Sequence, residues 1–125
     1  MNDVTPGDPR DTTTPAAMAE TIRKLALGDV LSGPSRRQLL QWMQACETCG
    51  TRLRAGLPSG WVAGDRTGTG PRNTSNVTGV LWPPGGAAPL VVTAYLTDGS
   101  PDGAVRDAAL ADVARTVTRA WTEAR

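Results

Sequence analysis

Apolar residues fall at helical spacing in three stretches of the chain and in strand-like runs in three others. Residues 1–14 read as loop, punctuated by Pro6, Gly7, Asp8 and Pro9. Thr14-Pro15 then marks a helix start, a hydroxyl N-cap followed by proline at the first helical position. Met18, Ile22 and Leu25 carry its apolar face, and Gly28 is the expected stop. A second helix begins near Ser32 or Ser35, with Leu39, Leu40, Met43 and Cys46 as the apolar stripe. Arg36, Arg37, Gln38 and Gln41 form its wet face. Residues 47–60 are turn-rich, with Gly50, Gly56, Pro58 and Gly60. Three strands are expected next: a short one from Trp61 to Asp65, a longer one from Asn76 to Trp82, and Leu90 to Leu96. Pro83-Pro84-Gly85-Gly86 makes a hairpin-type link between the last two. The third run is almost continuously apolar, which predicts a central strand buried on both faces. After a loop from Asp98 to Gly103, Leu110, Val113, Val117 and Trp121 define a last amphipathic helix. Consecutive strands joined by short loops imply an antiparallel sheet, so the expected class is α+β.

Composition narrows the chemistry. A chain of 125 residues is one domain of ordinary size and buries roughly two-thirds of its unfolded surface if it folds alone. A net charge of +1 gives no electrostatic case for nucleic acid. No run of 18 apolar residues exists, so no membrane span is expected. The first fifteen residues are polar, so no signal peptide is expected on this chain. Histidine is absent, which excludes an imidazole base or ligand, and Lys24 is the sole lysine among 13 basic residues. Cys46 and Cys49 form a Cys-x-x-Cys pair without the second pair of ligands that zinc needs, so no metal or other cofactor is expected. The pair ends a helical stretch, whereas a thioredoxin-like motif opens a helix after a strand. Two unrelated structural cysteines are the favoured reading. The segment Asp65-Arg66-Thr67-Gly68-Thr69-Gly70 combines a guanidinium, hydroxyls and glycines in a way that suits an anion, although a plain turn has the same composition.

Arg66-Thr67-Gly68 at the end of a strand resembles the Lys/Arg-Thr-Gly signature of class A β-lactamases and penicillin-binding proteins. The rest of the chain is similar to class A from end to end. Pro6 to Pro15 resembles the second half of the omega loop and the start of the next helix. Met18-Ala19, Leu40 to Met43, Arg54-Ala55-Gly56-Leu57-Pro58 with Trp61, Gly64 to Gly70, Asn76 and Trp82-Pro83 also match. Pro89 to Leu96 and the last helix resemble the family's final strand and final helix. A penicillin-binding transpeptidase shares the signature but lacks the omega loop, and Asn2 with Pro6 to Pro15 argues against it.

The resemblance implies β-lactam hydrolysis through an acyl-serine, with roles for particular residues. Arg66 would hold the substrate carboxylate, as a planar fork in place of lysine's point charge. Thr67 would hydrogen-bond the same carboxylate, with Gly68 beside it in the binding strand. Thr69 would give its backbone N–H to the oxyanion hole, where one such donor is worth about 3 kcal/mol of barrier. Asn2 matches the asparagine that helps hold the deacylating water. Arg52 is a further carboxylate candidate, set against a solvated loop arginine, and Arg106 a weaker one. Arg54 and Asp65 are expected to form a structural ion pair. Asp11 matches a residue that pairs with an arginine of the omega loop's front half, an arginine not found here.

The 125 residues contain no Ser-x-x-Lys, no Ser-Asp-Asn and no omega-loop glutamate. The expectation is a C-terminal β-lactamase part: an omega-loop remnant (1–14), a helical part (15–60), and three strands with the final helix (61–125). On this reading the N-terminal strands and nucleophile helix are missing, the start is truncated or misplaced, and the chain alone is inactive. The expected partners are a β-lactam and a complementary N-terminal half, and the parent family is periplasmic or secreted. The alternative is a non-catalytic remnant that associates only with an N-terminal half or with itself. Its uncovered sheet edge predicts a marginal monomer prone to association. A redox module built on Cys46 and Cys49 is the remaining alternative.

Overall fold

The chain folds as sequence chemistry directs at its first helix. The computed structural model describes residues 5–125, so Asn2 and its expected role lie outside the described residues. The Thr14 hydroxyl accepts a hydrogen bond from the Ala17 amide at 3.1 Å, and Pro15 occupies a first-turn position where no N–H is needed. Helix α1 spans Pro15–Ile22 and runs on as a wider π-helical turn, Arg23–Leu27. The Gly28 amide closes that turn onto the Arg23 carbonyl at 3.0 Å. A Cβ at Gly28 would lie 2.6 Å from the Lys24 carbonyl oxygen, so glycine suits the stop. Helix α2, Gly33–Gln44, is capped by the Ser32 hydroxyl, and it buries Met43 while Leu39 and Leu40 are half-buried. A 3-10 turn follows at Leu53–Gly56.

Strands β1 (Val62–Gly70), β2 (Thr74–Trp82) and β3 (Leu90–Leu96) form one antiparallel sheet in the order β1-β2-β3. The α+β class with three antiparallel strands is as the sequence predicts. Two details differ. The first strand does not end at Asp65: it continues through the Gly- and Thr-rich segment to Gly70, because every residue of that segment is paired against β2. The strand from Leu90 to Leu96 is an edge strand, with β2 at the centre, and only Val92 in it is fully buried. Pro71-Arg72-Asn73 makes the β1–β2 turn, with Arg72 and Asn73 left-handed at φ 58° and 51°. Arg72 braces this turn through an ion pair with Asp98, in the loop after β3, Nε to Oδ1 at 3.0 Å.

Helix α3, Gly103–Glu123, starts at Asp102, whose carboxylate accepts from the Ala104 amide at 2.9 Å. It packs with the 3-10 turn on one sheet face, where Leu53, Val77, Leu81, Val92, Leu110 and Ala114 form the core. Trp61 meets Trp121 edge-on, ring centroids 5.1 Å apart. The opposite face is covered by α1 over β2 and β3 and by α2 over β1. Asp11 is exposed, so it does not incur the burial cost of an unpaired carboxylate.

Candidate functional site

The register of β1 on β2 sets the arrangement: Arg66 faces Thr78, Thr67 faces Val77, Gly68 faces Asn76 and Thr69 faces Ser75. Strand alternation sends Arg66 to one face of the sheet and Thr67 and Thr69 to the other, the α3 face. Met18, Arg66, Thr67, Gly68, Asn76, Val77, Thr78 and Tyr95 line an open depression of about 160 Å³. Arg66 is exposed, and among the described residues it enters no ion pair or hydrogen bond. Its guanidinium is therefore available to an anion. Burial raises the Tyr95 pKa.

Arg52 is not a solvated loop residue. It is 7% exposed, and each nitrogen of its guanidinium is hydrogen-bonded under the end of β1. Nε donates to Asp107 Oδ1 at 2.8 Å, Nη1 to the carbonyls of Gly68 at 2.8 Å and Asn76 at 2.9 Å, and Nη2 to Thr69 Oγ1 at 2.6 Å. Asp107 also accepts from Thr51 Oγ1 at 2.8 Å. Burial alone would raise the Asp107 pKa, but the Thr51 hydroxyl and the Arg52 guanidinium outweigh it and hold the carboxyl below its ordinary value. The salt bridge thus fixes both a carbonyl and a hydroxyl of the Arg66–Thr69 segment in place.

The expected pair of Arg54 and Asp65 is present. Arg54 Nε donates to Asp65 Oδ1 at 2.7 Å and Nη2 to the Met43 carbonyl at 2.9 Å. Asp65 is completely buried, and its Oδ2 has no partner among the described residues. Desolvation raises the Asp65 pKa, and Arg54 only partly offsets this. Gly79 lies opposite Asp65 in the sheet, and a Cβ there would sit 2.5 Å from the Asp65 Cβ. The glycine makes the space in which the ion pair is housed.

Cys46 and Cys49 are bonded to each other, Cα atoms 5.7 Å apart, which overturns the reading of two unrelated cysteines. The bond closes the turn that follows α2. Cys49 is fully buried, with its sulfur 3.2 Å from the Asp65 carbonyl oxygen. A disulfide sulfur carries no hydrogen, so this is a packing contact of the turn against β1. Between the two cysteines, Thr48 Oγ1 meets Thr67 Oγ1 at 2.9 Å and lies 3.6 Å from Cys46 Sγ. Thr48 escaped the sequence reading, since a threonine inside Cys-x-x-Cys has no signature of its own.

Arg106 lies close by and places Nε and Nη1 on the scaffold, with no hydrogen bond from Nη2 among the described residues. Nε donates to Ser75 Oγ at 3.0 Å, and Nη1 to the Pro101 carbonyl at 3.1 Å and to that of Ser100. The structure therefore brings Arg66, Thr67, Gly68, Thr69 and Arg52 to one end of β1, with Arg106 beside them on Ser75, the partner of Thr69, and bracing the loop before α3. Among the described residues, no helix is long and apolar enough to cross a membrane.

A family model described as "Beta-lactamase enzyme family" matches residues 1–121. Beta-lactamase CTX-M-25 of Escherichia coli is 47% identical over 118 residues, covering 94% of this chain and 40% of the relative. Beta-lactamase AST-1 of Nocardia asteroides is 45% identical, covering 96% of this chain and 38% of the relative. Among solved structures, an ancestral class A β-lactamase is 57% identical at a TM-score of 0.91, covering 95% of this chain and 45% of that one. A class A enzyme of Rhodopseudomonas palustris is 52% identical, also at a TM-score of 0.91, with the same coverage of both chains. The chain thus spans less than half the length of the proteins it matches.

Proposed function

Because the chain belongs to the beta-lactamase enzyme family, on its class A branch, we propose that it supplies the carboxylate-binding and oxyanion side of a β-lactam hydrolase. The observation that carries this reading is the convergence on one end of β1: an exposed, uncommitted Arg66 beside Thr67, with Thr69 anchored by buried Arg52. In that role the substrate carboxylate lies at the free edge of β1, where the Arg66 guanidinium reaches it from one face and the Thr67 hydroxyl from the other. The Thr69 backbone N–H receives the developing oxyanion when a serine attacks the lactam carbonyl. That serine, its lysine and the base for deacylation lie in the part of the fold outside these 125 residues, so the chain alone has no acyl acceptor and no turnover. Arg52 acts through Thr69, since each nitrogen of its guanidinium is bonded to the scaffold and its Nη2 donates to the Thr69 hydroxyl.

The second reading is a non-catalytic remnant that only associates with an N-terminal half or with itself. The apolar, half-exposed edge strand β3 favours association of one kind or the other. The disulfide supports an exported protein, since such bonds persist in oxidising compartments. The test of the catalytic reading is kinetic. With the chain completed by an N-terminal half from a relative, Arg66→Ala and Thr67→Val should each raise KM for a penicillin roughly tenfold, about 1.4 kcal/mol of carboxylate binding. Unchanged KM in both variants would remove the assignment of the carboxylate to these side chains.

A further inference from the structure

We propose that Thr48, held inside the Cys46–Cys49 disulfide turn, is a positioning residue that aims the Thr67 hydroxyl. The proposal rests on the reading of Thr67 as a ligand to a carboxylate, and it adds the device that fixes it. Thr67 Oγ1 has one proton to give and must give it to the anion. It can do so only if its other neighbour donates to it. Thr48 is that neighbour, 2.9 Å away, and among the described residues its own proton has two acceptors within reach, Thr67 Oγ1 and the weak acceptor Cys46 Sγ at 3.6 Å. Oxygen at the shorter distance wins, so Thr48 donates to Thr67 and leaves the Thr67 proton for a ligand.

The turn has the stiffness that this needs. Both of its ends are buried, Cys46 in the last turn after α2 and Cys49 against the Asp65 carbonyl, two residues before Thr67 on the same strand. The disulfide ties the two ends together and leaves only Glu47 and Thr48 between them. Thr48 is therefore referenced to β1 itself. Opening the bond, with two electrons and two protons supplied by a dithiol that becomes a cyclic disulfide, leaves two thiols and a longer, looser turn. In that state the Cys49 thiol gains a hydrogen and can donate to the Asp65 carbonyl, so the turn stays against the strand while Thr48 loses its fixed place.

The experiment needs no ligand, so its outcome is separate from whether the chain binds a β-lactam. Threonine methyl-labelled chain is examined by NMR, reading the side-chain couplings of Thr67 in the wild type, Thr48→Val, Thr48→Ser, the double variant Cys46→Ser/Cys49→Ser, and wild type treated with dithiothreitol. Thr93, whose hydroxyl pairs with Thr78 at 2.7 Å elsewhere in the sheet, is the internal control. The expected result is a single Thr67 rotamer in the oxidised wild type and in Thr48→Ser, and loss of that single-rotamer pattern in the other three, with Thr93 unmoved. Thiol alkylation should label no cysteine before reduction and two after. Thr67 equally ordered in all five samples overturns the proposal. So does a Thr67 averaged already in the oxidised wild type, a Thr93 that loosens in step with Thr67, or two free thiols in the untreated chain.

Discussion

Replacing Arg54 with methionine should expose the energetics of the buried Asp65. The perturbation removes the side chain that is bonded to a fully buried carboxylate, at 2.7 Å, while Oδ2 has no partner among the described residues. Losing one member of a buried pair costs about 3–5 kcal/mol, because the other is left charged in a poor solvent. With a urea slope of about 2 kcal/mol/M for a domain of this size, the unfolding midpoint should fall by about 2 M. The sign of the pH dependence follows from the raised pKa. Asp65 binds its proton more tightly folded than unfolded, so its contribution is fully present below the ordinary carboxylate value of 3.8 and is lost as pH rises through the higher folded value. Arg54→Met pushes the folded pKa further up and so extends the loss. The variant should therefore be most damaged at pH 7 and recover towards wild type as pH falls, and the further change Asp65→Asn should rescue it at pH 7. Urea titrations followed by circular dichroism at pH 7 and pH 5 are the assay. A loss below about 1 kcal/mol, equal losses at both pH values, or no rescue by the second change would refute the reasoning.

Two further outcomes follow from the same geometry. Gly79→Ala places a methyl 2.5 Å from the Asp65 Cβ and 2.8 Å from the Gly64 carbonyl oxygen, so it should cost about 1–3 kcal/mol in the same denaturation assay. A neutral result would mean that β1 and β2 separate freely at that point. Asp107→Asn leaves Arg52 as an unpaired buried cation and should cost about 2–3 kcal/mol at pH 7. Because the Asp107 pKa is lowered, its contribution is present above 3.8 and disappears as pH falls through the folded value, so the wild type and this variant should converge in acid.

Much of this architecture is written in local chemistry. Thr14-Pro15 starts α1 because one side chain caps and the other lacks the hydrogen that would go unpaired, and β3 has the bounds that its apolar run implies. The place of β3 in the sheet is not local. Its apolar run describes how much surface wants cover, and the pairing order alone decides that β2 is central. The same holds for residues 66–70, whose glycines and threonines read as a turn until pairing with β2 holds them extended. At the candidate site, the segment Arg66 to Thr69 is legible through a family pattern. The burial of Arg52 was not, because its three kinds of acceptor come from three distant parts of the chain. Nor was the disulfide, since Cys-x-x-Cys spacing serves redox, metal and structural pairs alike.

The central claim is that this chain forms a competent half-site but holds no acyl acceptor. The direct measurement is nitrocefin hydrolysis by the purified chain, alone and mixed with an N-terminal half from a relative. Turnover only in the mixture, abolished when the N-terminal half lacks its nucleophilic serine, is the predicted result. Turnover by the chain alone would contradict it.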